Sequence, residues 1–182
     1  MATTKHTLVA LVEDNPGVLN RVASLFRRRG FNIDSITVGQ SETPNISRMT
    51  IVVDGTNTSV EQVRKQLDKL IETVKVTDIT GDNIVVRELA LFKVKTTSAN
   101  RSEVIQIVDI FRANIVDVSS DSLMVEVTGD EDKLNSLLKL MASFGVKEVC
   151  RTGRIAMTRG VINETGHRMS KHPEAAEEKK HE

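Results

Sequence analysis

The sequence predicts an α+β protein built from two copies of one β-α-β-β-α-β unit, and three observations carry that expectation. Apolar runs of strand length alternate with amphipathic helical stretches, and the same order appears twice. The helical stretches carry their own start and stop residues. The breaks between elements fall on Gly, Pro, Asp and Asn, which favour turns. A chain of 182 residues is long enough for two such domains, each near the lower size at which a core sustains itself.

Thr7 to Val12 is apolar at nearly every position, as in a central strand covered on both faces. Asp14 or Asn15 then offers an N-cap, Pro16 stands where a missing amide hydrogen costs nothing, and Val18, Val22, Leu25 and Phe26 share one helical face. Arg27, Arg28 and Arg29 suit the negative end of the helix dipole, and Gly30 suits a left-handed C-cap. Ile33 to Gly39 reads as a strand, Gln40 to Ile46 as a loop around Pro44, and Ser47 to Asp54 as an alternating strand. Thr58 and Glu61 form a capping-box pattern before Val60, Val63, Leu67, Leu70 and Ile71, and Thr73 to Ile79 completes the unit.

The order repeats after Gly81-Asp82-Asn83, although Ile84, Val85 and Val86 show that this connection is no loose polar linker. Glu88 to Lys95 is a strand, Asn100 to Phe111 a helix, and Ile115 to Val118 and Leu123 to Thr128 are strands. Thr128 and Glu131 repeat the capping box before Leu134, Leu137, Leu138 and Met141, and Gly145 precedes a last strand, Val146 to Cys150. This split order is the ferredoxin-like arrangement, two helices on one face of a four-stranded antiparallel sheet. Residues 1–81 and 82–160 are the two expected domains; the chain turns basic at Arg151, Arg154 and Arg159, and a polar tail over 161–182 is expected to be disordered. The other face of the first sheet, carrying either Met49, Ile51 and Val53 or Arg48, Thr50 and Val52, is expected to stay open and to favour a homodimer paired through the sheets.

Composition excludes several functions. The chain has 25 Lys plus Arg against 25 Asp plus Glu, so no global field selects nucleic acid or an anionic membrane. Apolar runs fall far short of the ~20 residues of a membrane span. One cysteine, Cys150, makes no intrachain disulfide, and with no signal-like start the expected compartment is cytoplasmic. Five Phe and no Trp or Tyr leave no aromatic platform for bases; Phe92 alone does not make one. His6 is isolated, and His167, His172 and His181 fall in the tail without ligand spacing. No phosphate-binding glycine loop or nucleophile elbow is present.

The informative motif is Asp14-Asn15-Pro16-Gly17 at the first helix. Backbone amides of Gly17 and Val18, backed by the helix dipole, suit a small carboxylate, while Asp14 and Asn15 can accept from an ammonium group. That pairing describes an amino-acid site; a plain N-cap with a proline accounts for the same residues. Asn32 stands at the start of the second strand, where it serves either a ligand or its own turn. Arg48, a charge inside a strand, is either solvated or a contact for a partner protein.

The strings Glu13-Asp14-Asn15-Pro16-Gly17-Val18-Leu19-Asn20-Arg21-Val22, Phe26-Arg27-Arg28-Arg29-Gly30-Phe31-Asn32-Ile33-Asp34-Ser35-Ile36 and Ser47-Arg48-Met49-Thr50-Ile51 together resemble the small, regulatory subunit of acetolactate synthase, also known as acetohydroxyacid synthase. Arg151-Thr152-Gly153-Arg154-Ile155-Ala156-Met157 with Arg159-Gly160 is similar to the end of that family, and the tail after Val161 is not matched. The resemblance implies that the first domain is an amino-acid-sensing ACT domain and that the chain is not itself catalytic. It implies a large catalytic subunit, holding thiamine diphosphate, magnesium and FAD, as partner. It also implies feedback inhibition by valine, bound between two ACT domains at Asp14, Asn15, Gly17 and Val18 of one chain and Asn32 and Ile33 of the other, with Val18 and Ile33 as the apolar wall. A stand-alone amino-acid sensor or transcriptional regulator is the alternative, against which no helix-turn-helix is evident; an RNA-binding module is more distant.

Overall fold

The computed structural model describes residues 4–55 and 57–160. The first unit runs β1 (Thr4–Glu13), α1 (Val18–Arg28), β2 (Ile33–Gln40), β3 (Ile46–Gly55), α2 (Asn57–Leu67) and β4 (Thr73–Asp78). The second runs β5 (Ile84–Lys95), α3 (Arg101–Ile110), β6 (Asn114–Val118), β7 (Ser122–Gly129), α4 (Glu131–Met141) and β8 (Val146–Arg151), followed by a short strand β9 (Ile155–Thr158). Sheet orders are β2-β3-β1-β4 and β6-β7-β5-β8, with every pairing antiparallel. Both are the ferredoxin-like arrangement expected, with neighbours in the sheet that are distant in sequence.

Alternation decides which face of each strand is buried. Leu8, Ala10 and Val12 of β1 and Met49, Ile51 and Val53 of β3 meet Val22, Leu25 and Phe26 of α1 and Val60, Val63 and Leu67 of α2. In the second domain Ala90, Phe92 and Val94 of β5 meet Val104, Val108, Leu134 and Leu137. α1 ends as its glycine predicted: Gly30, at φ 71, donates to Arg27 O at 3.1 Å, and Phe31 donates to Phe26 O at 3.0 Å, a Schellman closure.

Two expectations need correction. α4 is capped not by Thr128 but by Asp130, whose Oδ1 accepts from Lys133 N at 2.9 Å; both residues are good caps, and the chain enters the helix two residues later. At α2, Glu61 takes Arg64, at 2.8 Å from each of two guanidinium nitrogens; the side chain of Thr58, the other half of the expected box, lies outside what is described, as does the tail 161–182. Finally, the outer face of the first sheet is not open. Thr7, Thr50 and Val52 are buried there, and Val9 packs with Ile79, Ala156, Ile84 and Val86.

The cover is a two-stranded ribbon. Ile84 to Arg87 of β5 pairs with Thr158 to Ile155 of β9, while the remainder of β5 pairs with β7 and β8. One face of β5 is thus packed along its length, first against the first sheet through the half-buried Ile84 and Val86, then in the second core through the buried Ala90, Phe92 and Val94. Glu88 sits between the two regions, 8% exposed, and takes a two-pronged contact from Arg151 with both nitrogens at 2.8 Å.

Phe26 is 1% exposed at the centre of the first core. Phe26→Ala should cost about 3–5 kcal/mol of unfolding free energy in urea denaturation, because a cavity replaces an aromatic ring; a loss below ~1 kcal/mol would show that the core closes around the gap.

Candidate functional site

The loop after β1 is held at its root by Glu13 N donating to Glu72 O and Asp14 N donating to Asn45 O, each at 2.8 Å. Asn15-Pro16-Gly17-Val18 then makes a type II turn: Gly17 adopts φ 90 and ψ −10, and Val18 N reaches Asn15 O at 3.4 Å. Pro at the second position and Gly at the third are what this turn requires, and together they displace the expected cap. Neither Asp14 nor Asn15 caps α1; Gly17 holds the N-cap position without a side-chain bond. The Asn15 carboxamide donates instead to Glu13 Oε2 at 2.8 Å.

The first intrahelical bond is Arg21 N to Gly17 O at 3.0 Å, so the amides of Leu19 and Asn20 belong to the first turn, where the helix provides no acceptor. No acidic side chain stands in that turn to neutralise the positive end of the dipole. Asp14, Asn15 and Gly17 are exposed, whereas Val18 is 5% exposed and packed into the core. The amides left without a helical acceptor are therefore those of the second and third residues of the helix, two positions beyond the expected Gly17 and Val18, and the Val18 side chain is committed to the core.

Asn32 is exposed and Ile33 half-buried against the first core. Register places them at the other end of the sheet. Ile33 faces Val53, which faces His6, whereas the loop follows Glu13, which faces Ile46. His6 to Glu13 is seven steps of antiparallel strand, about 24 Å, so a single chain does not bring its loop and its Asn32-Ile33 together. Arg48 lies on the outer face of β3, and its Nη2 donates to Ala156 O at 3.0 Å, tying β3 to the ribbon.

Sequence reasoning missed the junction between the domains. A cleft of about 380 Å³ is lined by Lys5, Asp34, Glu88, Glu131, Arg151 and Arg154 among others. Lys5 Nζ lies 2.9 Å from Glu131 Oε1 and 3.1 Å from Asp34 Oδ2. Arg154 donates to Glu131 Oε2 at 2.9 Å and to Thr7 Oγ1 at 3.3 Å, and its carbonyl accepts from Thr37 Oγ1 at 2.9 Å. Gly153 permits this approach: at φ 84, a Cβ there would stand 3.1 Å from the Ser35 Cβ. The local sequence shows of the junction only a short alternation, Ile155-Ala156-Met157, beside three arginines, too little to read as a strand.

Charge pairing shifts the groups in the directions expected. The hydrogen bond from Lys5 holds the Glu131 carboxyl below its ordinary value, against a smaller opposing effect of burial, with Lys5, Arg154 and Arg151 adding attraction. Lys5 is raised, chiefly by the same bond. With side chains partly exposed to solvent, each pair contributes only ~0.2–1 kcal/mol.

Among the described residues no group of three or more His, Cys, Asp or Glu is arranged to hold a metal, and no helix is long and apolar enough to cross a membrane. The glycine-turned loop, the vacant first helical turn and the β-α-β-β-α-β order define an ACT domain, joined here to a second ferredoxin-like domain. Residues 8–75 match the profile of the AHAS small subunit-like ACT domain, and residues 87–160 that of the small subunit of acetolactate synthase. A protein of Archaeoglobus fulgidus is 58% identical over 156 residues, covering 86% of this chain and 98% of its own. The acetolactate synthase small subunit of Mycobacterium bovis is 50% identical over 160 residues, covering 88% and 95%. The crystal structure of the acetolactate synthase small subunit of Thermotoga maritima superposes with a TM-score of 0.80 at 44% identity, covering 87% of this chain and 99% of that one. The chain belongs to the acetolactate synthase small-subunit family.

Two outcomes follow from this geometry. Gly17→Ala should lower stability by about 1–2 kcal/mol in chemical denaturation, since the left-handed φ of 90 is strained for any β-carbon even though the space is open; no loss would mean that the turn changes type. Glu131→Gln should be less stable than the parent near neutral pH. Because the Glu131 value is lowered on folding, that deficit is present above its unfolded value of 4.5 and disappears as pH falls through the folded value; denaturation curves at pH 7 and pH 3 check it, and an equal deficit at both would contradict the charge assignment.

Proposed function

We propose that this chain is the regulatory subunit of an acetolactate synthase: it raises the activity of a separate catalytic subunit and makes that activity sensitive to feedback inhibition by valine in branched-chain amino acid biosynthesis. Family membership supports the partnership, and the catalytic subunit carries the thiamine diphosphate, magnesium and FAD. The chain itself contributes no catalytic group and works in the cytoplasm as a homodimer.

The observation that carries the effector site is the separation of its halves. Unused amides stand at one end of the first sheet, and the exposed Asn32-Ile33 corner stands at the other. β2 is an edge strand with Val38 46% exposed, and an edge of that kind pairs readily with a second copy. Antiparallel pairing of two β2 edges about a two-fold axis reverses one copy relative to the other and brings the loop end of one toward the Asn32 end of its partner. Valine then places its carboxylate on the amides of Leu19 and Asn20 and its ammonium against Asp14 and Asn15. Its isopropyl group rests on Ile33, since Val18 is already committed to the core. For inhibition, valine must bind the less active arrangement of the pair more tightly; a tenfold preference corresponds to about 1.4 kcal/mol.

The test reconstitutes the chain with its catalytic subunit and titrates valine against acetolactate formation. Gly17→Asp adds bulk and negative charge beside the carboxylate and should raise the half-inhibitory valine concentration by at least about tenfold, while Gly17→Asn, with similar backbone tolerance and no charge, should raise it less. Stimulation of the catalytic subunit should persist in both. Undiminished inhibition with Gly17→Asp would remove this loop from the site.

A further inference from the structure

We infer that the Lys5–Glu131–Arg154 cluster is a transmission latch, which carries the state of the effector corner on β2 to the second domain; this rests on the effector site proposed above. β2 begins at the candidate effector residue Ile33, directly after Asn32, and the next two residues already touch the junction. Asp34 binds Lys5 at 3.1 Å, and Ser35 Oγ lies 3.5 Å from Arg154 N. Further along the same strand, Thr37 holds the Arg154 carbonyl at 2.9 Å. A movement at the start of β2 therefore acts on Lys5 and Arg154 without an intervening flexible segment.

Glu131 is where the two routes meet. One of its oxygens takes Lys5, from the first domain, and the other takes Arg154, from the turn between β8 and β9, each at 2.9 Å. Glu131 is also the first residue of α4, whose buried side chains Leu134, Leu137 and Met141 form much of the second core. Arg154 lies two residues before Ala156, which is sealed against Val9 of the first sheet. Shifting Asp34 relative to Lys5 thus pulls on α4, and shifting Ser35 and Thr37 pulls on the ribbon. Gly153, with its Cβ position 3.1 Å from Ser35, leaves too little room for the turn to slide independently of β2.

The latch is a set of partly exposed charge pairs, so the domain contact is adjustable; the sealed apolar contact of Val9, Ile79 and Ala156 keeps the domains together when the pairs change. That combination separates transmission from folding. It also separates transmission from ligand binding, since none of Lys5, Glu131 and Arg154 belongs to the proposed site.

The experiment compares the parent with Lys5→Met, Glu131→Gln and the double variant, using the full chain with its catalytic subunit. Valine binding to the small subunit is measured by calorimetry, and stimulation and valine inhibition by acetolactate formation. The expected result is valine affinity within about threefold of the parent in all variants, stimulation retained, and the extent of valine inhibition cut at least about fivefold in each single variant, with the double variant no worse than either single. Inhibition equal to the parent in both single variants overturns the latch and leaves the effector site standing. Loss of valine binding in the variants also overturns it, because these residues would then act on the site and not on transmission. If the parent binds no valine, the effector reading fails, and the latch as a valine relay fails with it. Glu131→Gln preserves side-chain volume; should it fail to stimulate the catalytic subunit, Lys5→Met gives the same decision from a strand-end position.

Discussion

β5 is the constraint on which the rest of the molecule depends. A strand of twelve residues carries one apolar face into two separate cores, with Glu88 at the handover. A buried carboxylate at such a position is costly unless it is paired, and the two-pronged contact with Arg151 satisfies it while fixing β8 beside β5. Arg151 in turn holds its proton more tightly through that hydrogen bond to Glu88. Because β9 returns to pair with the first four residues of β5, the second half of the chain closes over the first sheet. Arg48, Thr37 and Thr7, which would otherwise be solvated strand residues, become the polar fastenings of that cover. The outward face of the ribbon, with Ile155 and Met157 more than half exposed, is left for whatever the assembled protein places there.

The first loop follows from a different constraint. Proline presets the second position of a type II turn and glycine tolerates the positive φ of the third, and the turn orients the chain so that α1 begins without a side-chain cap. A helix start left uncapped leaves amides in want of acceptors. In an ordinary structural helix that loss is corrected by Ser, Thr, Asp or Asn at the cap, and here the available Asp14 and Asn15 are turned elsewhere. The root of the loop is nevertheless fixed, by Glu72 and Asn45 carbonyls on two different segments. A fixed loop with unsatisfied donors suits the carboxylate-binding half of the effector site proposed above, and the register of β1, β2 and β3 sets the other proposed half at the far end of the sheet.

Much of the fold was legible because it rests on local patterns. Val18, Val22, Leu25 and Phe26 announce the buried face of α1, and Gly30 its closure; the core of both domains follows from alternation and helical periodicity. What was not legible depends on pairings distant in sequence. Ile155–Thr158 is too short and too near three arginines to read as a strand, and it is one only because Ile84–Arg87 lies beside it. The first sheet seemed open for the same reason. Asp14 and Asn15 looked like caps because their type is right; the turn formed by Pro16 and Gly17 overrides that preference. Glu131 looked like half of a capping box, and its attraction to Lys5, 126 residues away, has no trace in the local sequence. Of the candidate effector residues, the loop and the Asn32-Ile33 corner were recognised by a family string; their placement at opposite ends of one sheet needed the strand register.

The most direct measurement of the central claim is a valine titration of the isotopically labelled small subunit followed through its backbone amide resonances. The account predicts that Leu19 and Asn20 shift together with Asn32 and Ile33, with saturation at one common valine concentration, because the two ends of the sheet meet in one site across the pair. Shifts confined to one end, or to neither while valine still inhibits the assembled enzyme, would contradict it.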